Sequence, residues 1–378
     1  MKIAIVGLLH HPIAEPFAGG MESHTWWLAK TLIDRGHDVT LFASGDSDPG
    51  LGLSPCIEKS FATNPATQTV EHRRIFNTIA YTQVMQKLCQ GGFDVVHNNA
   101  LHPFLLLNAA DLPIPMLMVL HVPPYKELAA AVRYAVARNT QDQLKVVSVS
   151  NSLADNWRSL VPSTVIHNGI DTSSWTIPGN RPEKTALWYG RFVPEKAPHL
   201  AIKAALIAGF RLLLAGPIGN QEYFQTEIEP LLNRPEINYL GHLPQAAIKR
   251  AFSQAQVMLH TPLWEEPFGL VYTESLASGT PVATFDSGAA SEILTAECGA
   301  IATEKTPQAL AAAIRKAAQL SSQACRQRAK TRFSVDVMVE GYERIYRQLA
   351  NNQRAKTQKR LARMPAAMTT QALIGITG

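Results

Sequence analysis

Short runs of β-branched and apolar residues alternate along the whole chain with longer stretches whose apolar positions recur at helical spacing. Lys2–Leu8 reads as a buried strand, Glu22–Arg35 as a helix ended by Gly36, and Asp38–Ala43 as the next strand. The rhythm returns through Asp94–Val96, Met116–Leu120 and Val146–Val149. A second series follows: Ala186–Tyr189, Arg211–Ala215, Ile237–Leu240, Val257–His260, Pro281–Phe285 and Ala300–Ala302. Near-continuous apolar strands separated by helices predict parallel sheets covered on both faces. Two such series predict two doubly wound α/β domains, their seam within Val161–Pro182, where Pro162, Gly169, Pro178, Gly179 and Pro182 cluster. Ligands bind such sheets at the carboxyl ends of the strands, so the cleft between the domains is the expected site. Ser334 suits an N-cap for a helix running to about Ala350, with Val335, Met338, Val339, Tyr342, Ile345 and Leu349 as its apolar stripe. Residues 351–378 then read as a flexible basic tail.

Composition refines this outline. A chain of 378 residues exceeds what one hydrophobic core usually supports, and an apolar fraction of 46% excludes a mainly disordered protein. Cys56, Cys89, Cys298 and Cys325 lie far apart and form no CxxC pair, which fits reduced thiols of a cytoplasmic protein. The net charge of +5 has a local origin. Arg354, Lys356, Lys359, Arg360 and Arg363 fall in 351–378, where no acid occurs, and the rest of the chain is balanced. A neutral body argues against nucleic acid as a partner. Met1–Leu9 reads as a strand rather than an export signal, and apolar runs such as Met116–Leu120 are far too short to cross a bilayer.

Three segments carry chemistry. In Trp264-Glu-Glu-Pro-Phe-Gly-Leu-Val-Tyr-Thr-Glu, a strand enters a loop and a helix starts near Phe268–Leu270. The amides of Phe268, Gly269 and Leu270 then sit at a helix N-terminus, which favours an anion. Glu266 stands before that terminus and Glu274 on its second turn, both suited to accept hydrogen bonds from hydroxyl groups flanking the anion. The plainer alternative is a capping Glu and a solvated helix Glu. In Tyr189-Gly-Arg-Phe-Val-Pro-Glu-Lys, Arg191 offers a planar fork and Lys196 a mobile charge, a pairing suited to a diphosphate. By itself this segment reads first as an ordinary solvated loop. Gly19-Gly20 permits close backbone approach at another helix start, without the full GxGxxG fingerprint.

Together these segments resemble the retaining glycosyltransferases of family 4, the group 1 enzymes of GT-B fold. Glu266-x7-Glu274 around Pro267-Phe268-Gly269-Leu270, Gly190-Arg191…Glu195-Lys196, and the turn His167-Asn168-Gly169-Ile170-Asp171 match the family's elements. The resemblance spans about residues 1–350. It implies an acceptor-side Rossmann-like domain at 1–165, a donor-binding domain at 166–333, and a helix at 334–350 that crosses back to the first domain. It further implies a nucleotide-diphosphate sugar as co-substrate, uridine diphosphate donors being the commonest in similar enzymes, and no cofactor. Arg191 and Lys196 would hold the diphosphate, Glu266 the sugar hydroxyls and Glu274 the ribose. The base would lie near Gly241–Leu243, and His121 matches the family's histidine near the donor sugar.

Charge development then suggests a mechanism. As the bond from C1 to oxygen breaks, Arg191, Lys196 and the helix dipole stabilise the leaving diphosphate. No Asp-x-Asp pair accompanies these motifs, so metal independence is expected. Retention would follow if the leaving phosphate oxygen deprotonates the acceptor on the same face. A nucleotide-sugar epimerase of the same fold and a non-catalytic sugar-binding protein are the rival readings, and a two-lobed periplasmic binding protein would need an export signal. The acceptor, whether a sugar, a lipid-linked or a small molecule, is not legible. The basic tail reads first as a solvated terminus and second as a weak contact with an anionic membrane.

Overall fold

The apolar runs assemble into two wholly parallel sheets. The computed structural model describes residues 1–176 and 182–362. Pro178 and Gly179 of the expected seam lie outside the described residues, as do Arg363 and the side chain of Arg360. The first sheet contains Lys2–Val6 (β1), Asp38–Ser44 (β2), Leu53–Ile57 (β3), Val95–Asn98 (β4), Met116–Leu120 (β5), Leu144–Ser148 (β6) and Thr164–Val165 (β7), in the order β3-β2-β1-β4-β5-β6-β7. The second contains Thr185–Tyr189 (β8), Arg211–Ala215 (β9), Ile237–Tyr239 (β10), Val257–His260 (β11), Val282–Phe285 (β12) and Gly299–Ala302 (β13), in the order β10-β9-β8-β11-β12-β13. Strands β4, β5, β11 and β12 are buried along their whole length, as central strands under helices on both faces must be. This is the doubly wound, two-domain GT-B architecture.

Two strands escaped the sequence pattern. Leu53–Ile57 contains Pro55, which disqualifies a central strand but is tolerated here because β3 is an edge. Thr164–Val165 is only two residues long. The helix Val70–Cys89 was likewise not singled out, since its polar residues blur any apolar stripe.

The chain passes between the domains twice, and the two passages are bonded to each other. The Ile170 amide donates to the Phe333 carbonyl at 2.9 Å, and the Val335 amide donates to the Ile170 carbonyl at 2.9 Å. Gly169 is obligatory at this crossing: a Cβ there would lie 2.6 Å from the Ser334 carbonyl oxygen and 2.7 Å from Val335 Cα. A third tie is Glu292, whose carboxylate accepts from the Asn151 amide (2.9 Å), the Ser152 amide (3.2 Å) and His167 Nε2 (3.1 Å).

The final helix, Val335–Ala362, lies on the first domain, where Arg35 pairs with Asp336 at 2.7 Å and His37 Nε2 meets Glu343 at 2.9 Å. It does not end near Ala350. Polar contacts rather than an apolar stripe carry its last turns: Asn352 donates to Asp142 (2.8 Å), Gln353 to the Pro113 carbonyl (2.9 Å), Arg354 pairs with Asp94 (2.9 Å) and Lys356 with Asp142 (3.3 Å). Residues 351–362 are therefore helical, not a flexible tail, and two of the five basic residues are committed to the first domain. Among the described residues no helix is long and apolar enough to cross a membrane.

Because the two nearest of the three atoms crowding Gly169 are backbone, Gly169→Ala should destabilise the protein by about 1–3 kcal/mol, the usual range for overpacking a fixed site. Urea unfolding measures this, and a midpoint equal to that of the parent would mean that the crossing relaxes freely.

Candidate functional site

In both sheets the strand order reverses between the first strand of the domain and the fourth, which leaves a crevice at the carboxyl ends of those strands. The second domain's crevice lies between β8 and β11. Gly190–Lys196 leaves β8 on one side of it, and the loop carrying Glu266 leaves β11 on the other. Three bonds stitch the two loops together: Thr261 donates its hydroxyl to the Lys196 carbonyl (2.7 Å), the Leu263 amide donates to the Glu195 carbonyl (2.8 Å), and Lys196 Nζ bonds the Glu266 carboxylate.

That last pair is mostly buried, and its surroundings are tightly built. Trp264 Nε1 donates to the same Glu266 oxygen at 3.1 Å, while Lys196 Nζ stands 5.3 Å over the Trp264 ring. His260, at the end of β11, approaches that oxygen at 3.5 Å. Burial alone would raise the Glu266 carboxyl, but the His260 contact and the Lys196 charge outweigh it and bring it down to about 2. The loop after β12 grips the backbone on the far side. The Ala289 amide donates to the Glu266 carbonyl (3.0 Å) and the Gly288 amide to Glu265 (2.8 Å). Gly288 adopts φ +54°, and a Cβ there would sit 2.0 Å from the Glu266 carbonyl oxygen, so only glycine fits.

The helix Leu270–Ala277 begins where expected, after Gly269 at φ +80°. Its N-terminus meets that of the helix Gly20–Asp34 across the cleft: a Cβ on Gly20 would lie 3.3 Å from Leu270 Cδ1. Two positive helix ends thus converge on one place. Arg191 is exposed beside them, and its charge acts on His11 and Glu22 of the first domain.

Glu274 is half-buried and lines a narrow cavity with Glu15, Phe17, Trp27, Trp175 and Lys249. Burial pushes its carboxyl up to about 7, against the pull of Lys249. The cavity has a volume of about 30 Å³. Gly241 turns at φ +74° after β10, and Gln245, just downstream of Leu243, reaches the same cavity.

His121 follows β5 and is almost fully buried. Its Nε2 lies 3.1 Å from Asn99 Oδ1, and its ring packs edge-on to His24 at 4.7 Å. Burial, reinforced by His24 and His97, holds it well below the ordinary histidine range. Among the described residues no hydrogen bond or ion pair joins His121 to Glu266, Lys196 or Arg191. The structure thus joins Lys196 to Glu266 and Gly20 to Leu270, while Glu274 lines the neighbouring cavity and His121 bonds within the first domain.

Sequence reasoning missed His260, Gly288, Asn99 and Glu292. A histidine closing the strand that feeds the Glu266 loop was an available signal for the first, and a glycine after β12 for the second. Nothing in the sequence marked the other two. Asp46-Ser47-Asp48, the chain's single Asp-x-Asp triplet, is engaged locally: Asp46 accepts from Ser60 and Thr63, and Asp48 from Trp26 Nε1.

Comparison with known proteins agrees with this geometry. Residues 171–332 match the family model described as "Glycosyl transferases group 1", and residues 18–174 match "Glycosyltransferase Family 4". The phosphatidyl-myo-inositol mannosyltransferase of Mycolicibacterium smegmatis is 28% identical over 302 residues, covering 75% of this chain and 76% of that protein. Sucrose-phosphate synthase from Thermosynechococcus elongatus superposes with a TM-score of 0.74 at 21% identity, covering 92% of this chain and 98% of that one. Anabaena HepE, solved in complex with UDP, gives 0.69 at 19% identity, covering 91% and 99%. The two sheets, their shared cleft and the two family matches define a GT-B glycosyltransferase. The chain belongs to the group 1 glycosyltransferases, family 4.

The depressed Glu266 carboxyl has a pH consequence of definite sign. A carboxyl lowered from 4.5 to about 2 on folding contributes stability above pH 4.5 that is lost as pH falls toward 2. The stability gap between the parent and Glu266→Gln should therefore narrow from pH 6 to pH 3 in urea titrations. A gap that stays constant would count against an ionised, paired Glu266.

Proposed function

We propose that this chain transfers a hexosyl unit, with retention of configuration and without a metal, from a nucleoside diphosphate sugar to an acceptor held by the first domain. The observation that carries this reading is the placement of Lys196, beside Arg191 and two converging helix N-termini, in the crevice between β8 and β11. That crevice concentrates positive field where a diphosphate leaving group would develop charge. Two similarities support the donor class: HepE was solved with UDP, and the mannosyltransferase is named for moving a sugar. UDP-sugars are therefore the first donors to test. The mannosyltransferase is also named for a lipid acceptor, which keeps a lipid-linked acceptor alongside sugars and small molecules.

In this mechanism the bond from the anomeric carbon to the phosphate oxygen breaks, and its electron pair stays on the diphosphate. Lys196, Arg191 and the Phe268–Leu270 amides stabilise that charge. The phosphate oxygen takes the acceptor's hydroxyl proton, and the acceptor oxygen bonds the anomeric carbon on the same face. Glu266 orients the sugar hydroxyls, Glu274 the ribose, Gly241–Leu243 the base, and His121 the sugar from the other domain. Separate assays for transfer, for free nucleotide and for an altered sugar distinguish this reading from an epimerase.

Glu266→Ala should lower turnover of UDP-glucose by roughly 10²-fold or more while UDP still binds, because its contacts serve the sugar. Lys196→Ala should instead weaken UDP itself. The reverse assignment of losses in calorimetry and steady-state assays would exchange their roles. Activity should survive EDTA, and loss restored by Mg²⁺ would overturn the metal-independent account.

Glu274 supplies a pH test. Ribose hydroxyls are best accepted by the carboxylate, and UDP-glucose keeps its diphosphate ionised, so UDP-glucose affinity should rise from pH 6 to 8 as Glu274 ionises, by at most about tenfold per unit below its pKa. Glu274→Gln should bind more weakly and without that slope. An equal slope in the variant would place the titration elsewhere.

A further inference from the structure

Behind His121 lies a buried relay of polar side chains drawn from three separate parts of the chain. Tyr346, on the final helix, places its hydroxyl 2.5 Å from His97 Nδ1. His97 Nε2 is 3.0 Å from Asn99 Oδ1, and the same oxygen is 3.1 Å from His121 Nε2. The Asn99 amide nitrogen donates to Thr25 Oγ1 at 3.1 Å. Tyr346, His97 and Asn99 are fully buried, and Thr25 nearly so.

The roles in this relay follow from what each atom can do. An amide oxygen only accepts, so both imidazoles must present Nε2–H to it. A neutral ring protonated at Nε2 has a bare lone pair at Nδ1. In His97 that lone pair accepts a hydrogen bond from the Tyr346 hydroxyl. In His121 the Nδ1 atom has no partner among the described residues. We infer that Asn99 is a positioning residue, which holds His121 in the Nε2–H form so that Nδ1 accepts a hydrogen bond from a hydroxyl of the donor sugar. Tyr346 locks His97 behind it in the same sense. The inference rests on the reading of the cleft as a nucleoside diphosphate sugar site.

The groups facing His121 agree with an uncharged ring. His24 stands edge-on to it from the helix Gly20–Asp34, His97 acts on it from β4, and Tyr342 packs edge-on against both of those rings. The two imidazoles lie closest in charge terms, the phenols pack behind them, and Asn99 carries no charge. Replacing the amide by a carboxylate of the same shape would supply the missing anion and favour the doubly protonated ring.

Nitrogen NMR of the full chain labelled with ¹⁵N-histidine reads the tautomers directly, with His97→Gln and His121→Gln assigning the signals. The expected result is Nε2–H for both rings, unchanged from pH 8 to 5.5. Tyr346→Phe keeps the ring packing and should mix the His97 tautomers. Asn99→Ala should mix those of His121, and Asn99→Asp should make it titrate near neutral pH. In that variant kcat at saturating UDP-glucose should fall about tenfold per unit below the new pKa, while the parent stays flat. An Nδ1–H signal for His121 in the parent, or an Asn99→Asp protein with the parent's tautomers and pH profile, would overturn the inference. A parent chain with no activity on UDP-glucose or GDP-mannose would instead count against the proposed donor, and the tautomers alone would then decide the role of Asn99.

Discussion

Everything in the cleft depends on the double crossing between the domains. Two sheets can present their strand ends to each other only if the chain that joins them holds their relative position. Here the outgoing passage at Ile170 and the returning one at Phe333–Val335 are hydrogen-bonded as a short parallel bridge, with Gly169 pressed against the returning backbone. The bridge lies beside His167, which shares Glu292 with the start of the helix Asn151–Trp157. A single carboxylate thereby senses the first domain, the second domain and the segment between them. Helix ends, loops and glycines around the crevice have meaning only at the spacing that this junction sets.

Within that frame the crevice satisfies its own charges. A lone ammonium or carboxylate buried at this depth would be unfavourable by several kcal/mol, so each holds the other. Trp264 and His260 fill the remaining sides of Glu266, and the pair stands ready rather than strained. On the proposed function, an incoming anion would compete with Glu266 for Lys196, and incoming hydroxyl groups would replace what Glu266 loses. Donor recognition on this reading is an exchange of partners, in which neither charge is left alone at any stage.

The architecture was largely legible because central parallel strands are apolar on both faces, and a pattern of that kind survives without any knowledge of the fold. The same rule concealed β3, where Pro55 is harmless only because the strand is an edge. It also concealed the last turns of the final helix, which are held by Arg354, Lys356 and Asn352 reaching particular carboxylates on the first domain. No periodicity encodes such contacts. The residues proposed to hold the donor were legible for a different reason: Lys196, Glu266 and Gly269 sit in contiguous motifs whose turns and helix starts dictate their geometry. His260, which closes the strand feeding the Glu266 loop, and Gly288, after β12, left faint local signals, whereas Asn99 acts on His121 from another strand. A side chain that works through a partner across a sheet leaves no local trace.

The final helix also bears on how the protein is made. Tyr342 and Tyr346 complete the interior of the first domain beside His24 and His97, yet they are translated after the whole second domain. At synthesis rates of about 5–20 residues per second, the first sheet would wait roughly 10–40 s with that surface uncovered. Through that interval the nascent first domain exposes an apolar, histidine-lined patch to the ribosome's surroundings. It reaches its mature packing only when the other domain has been built and the chain has returned.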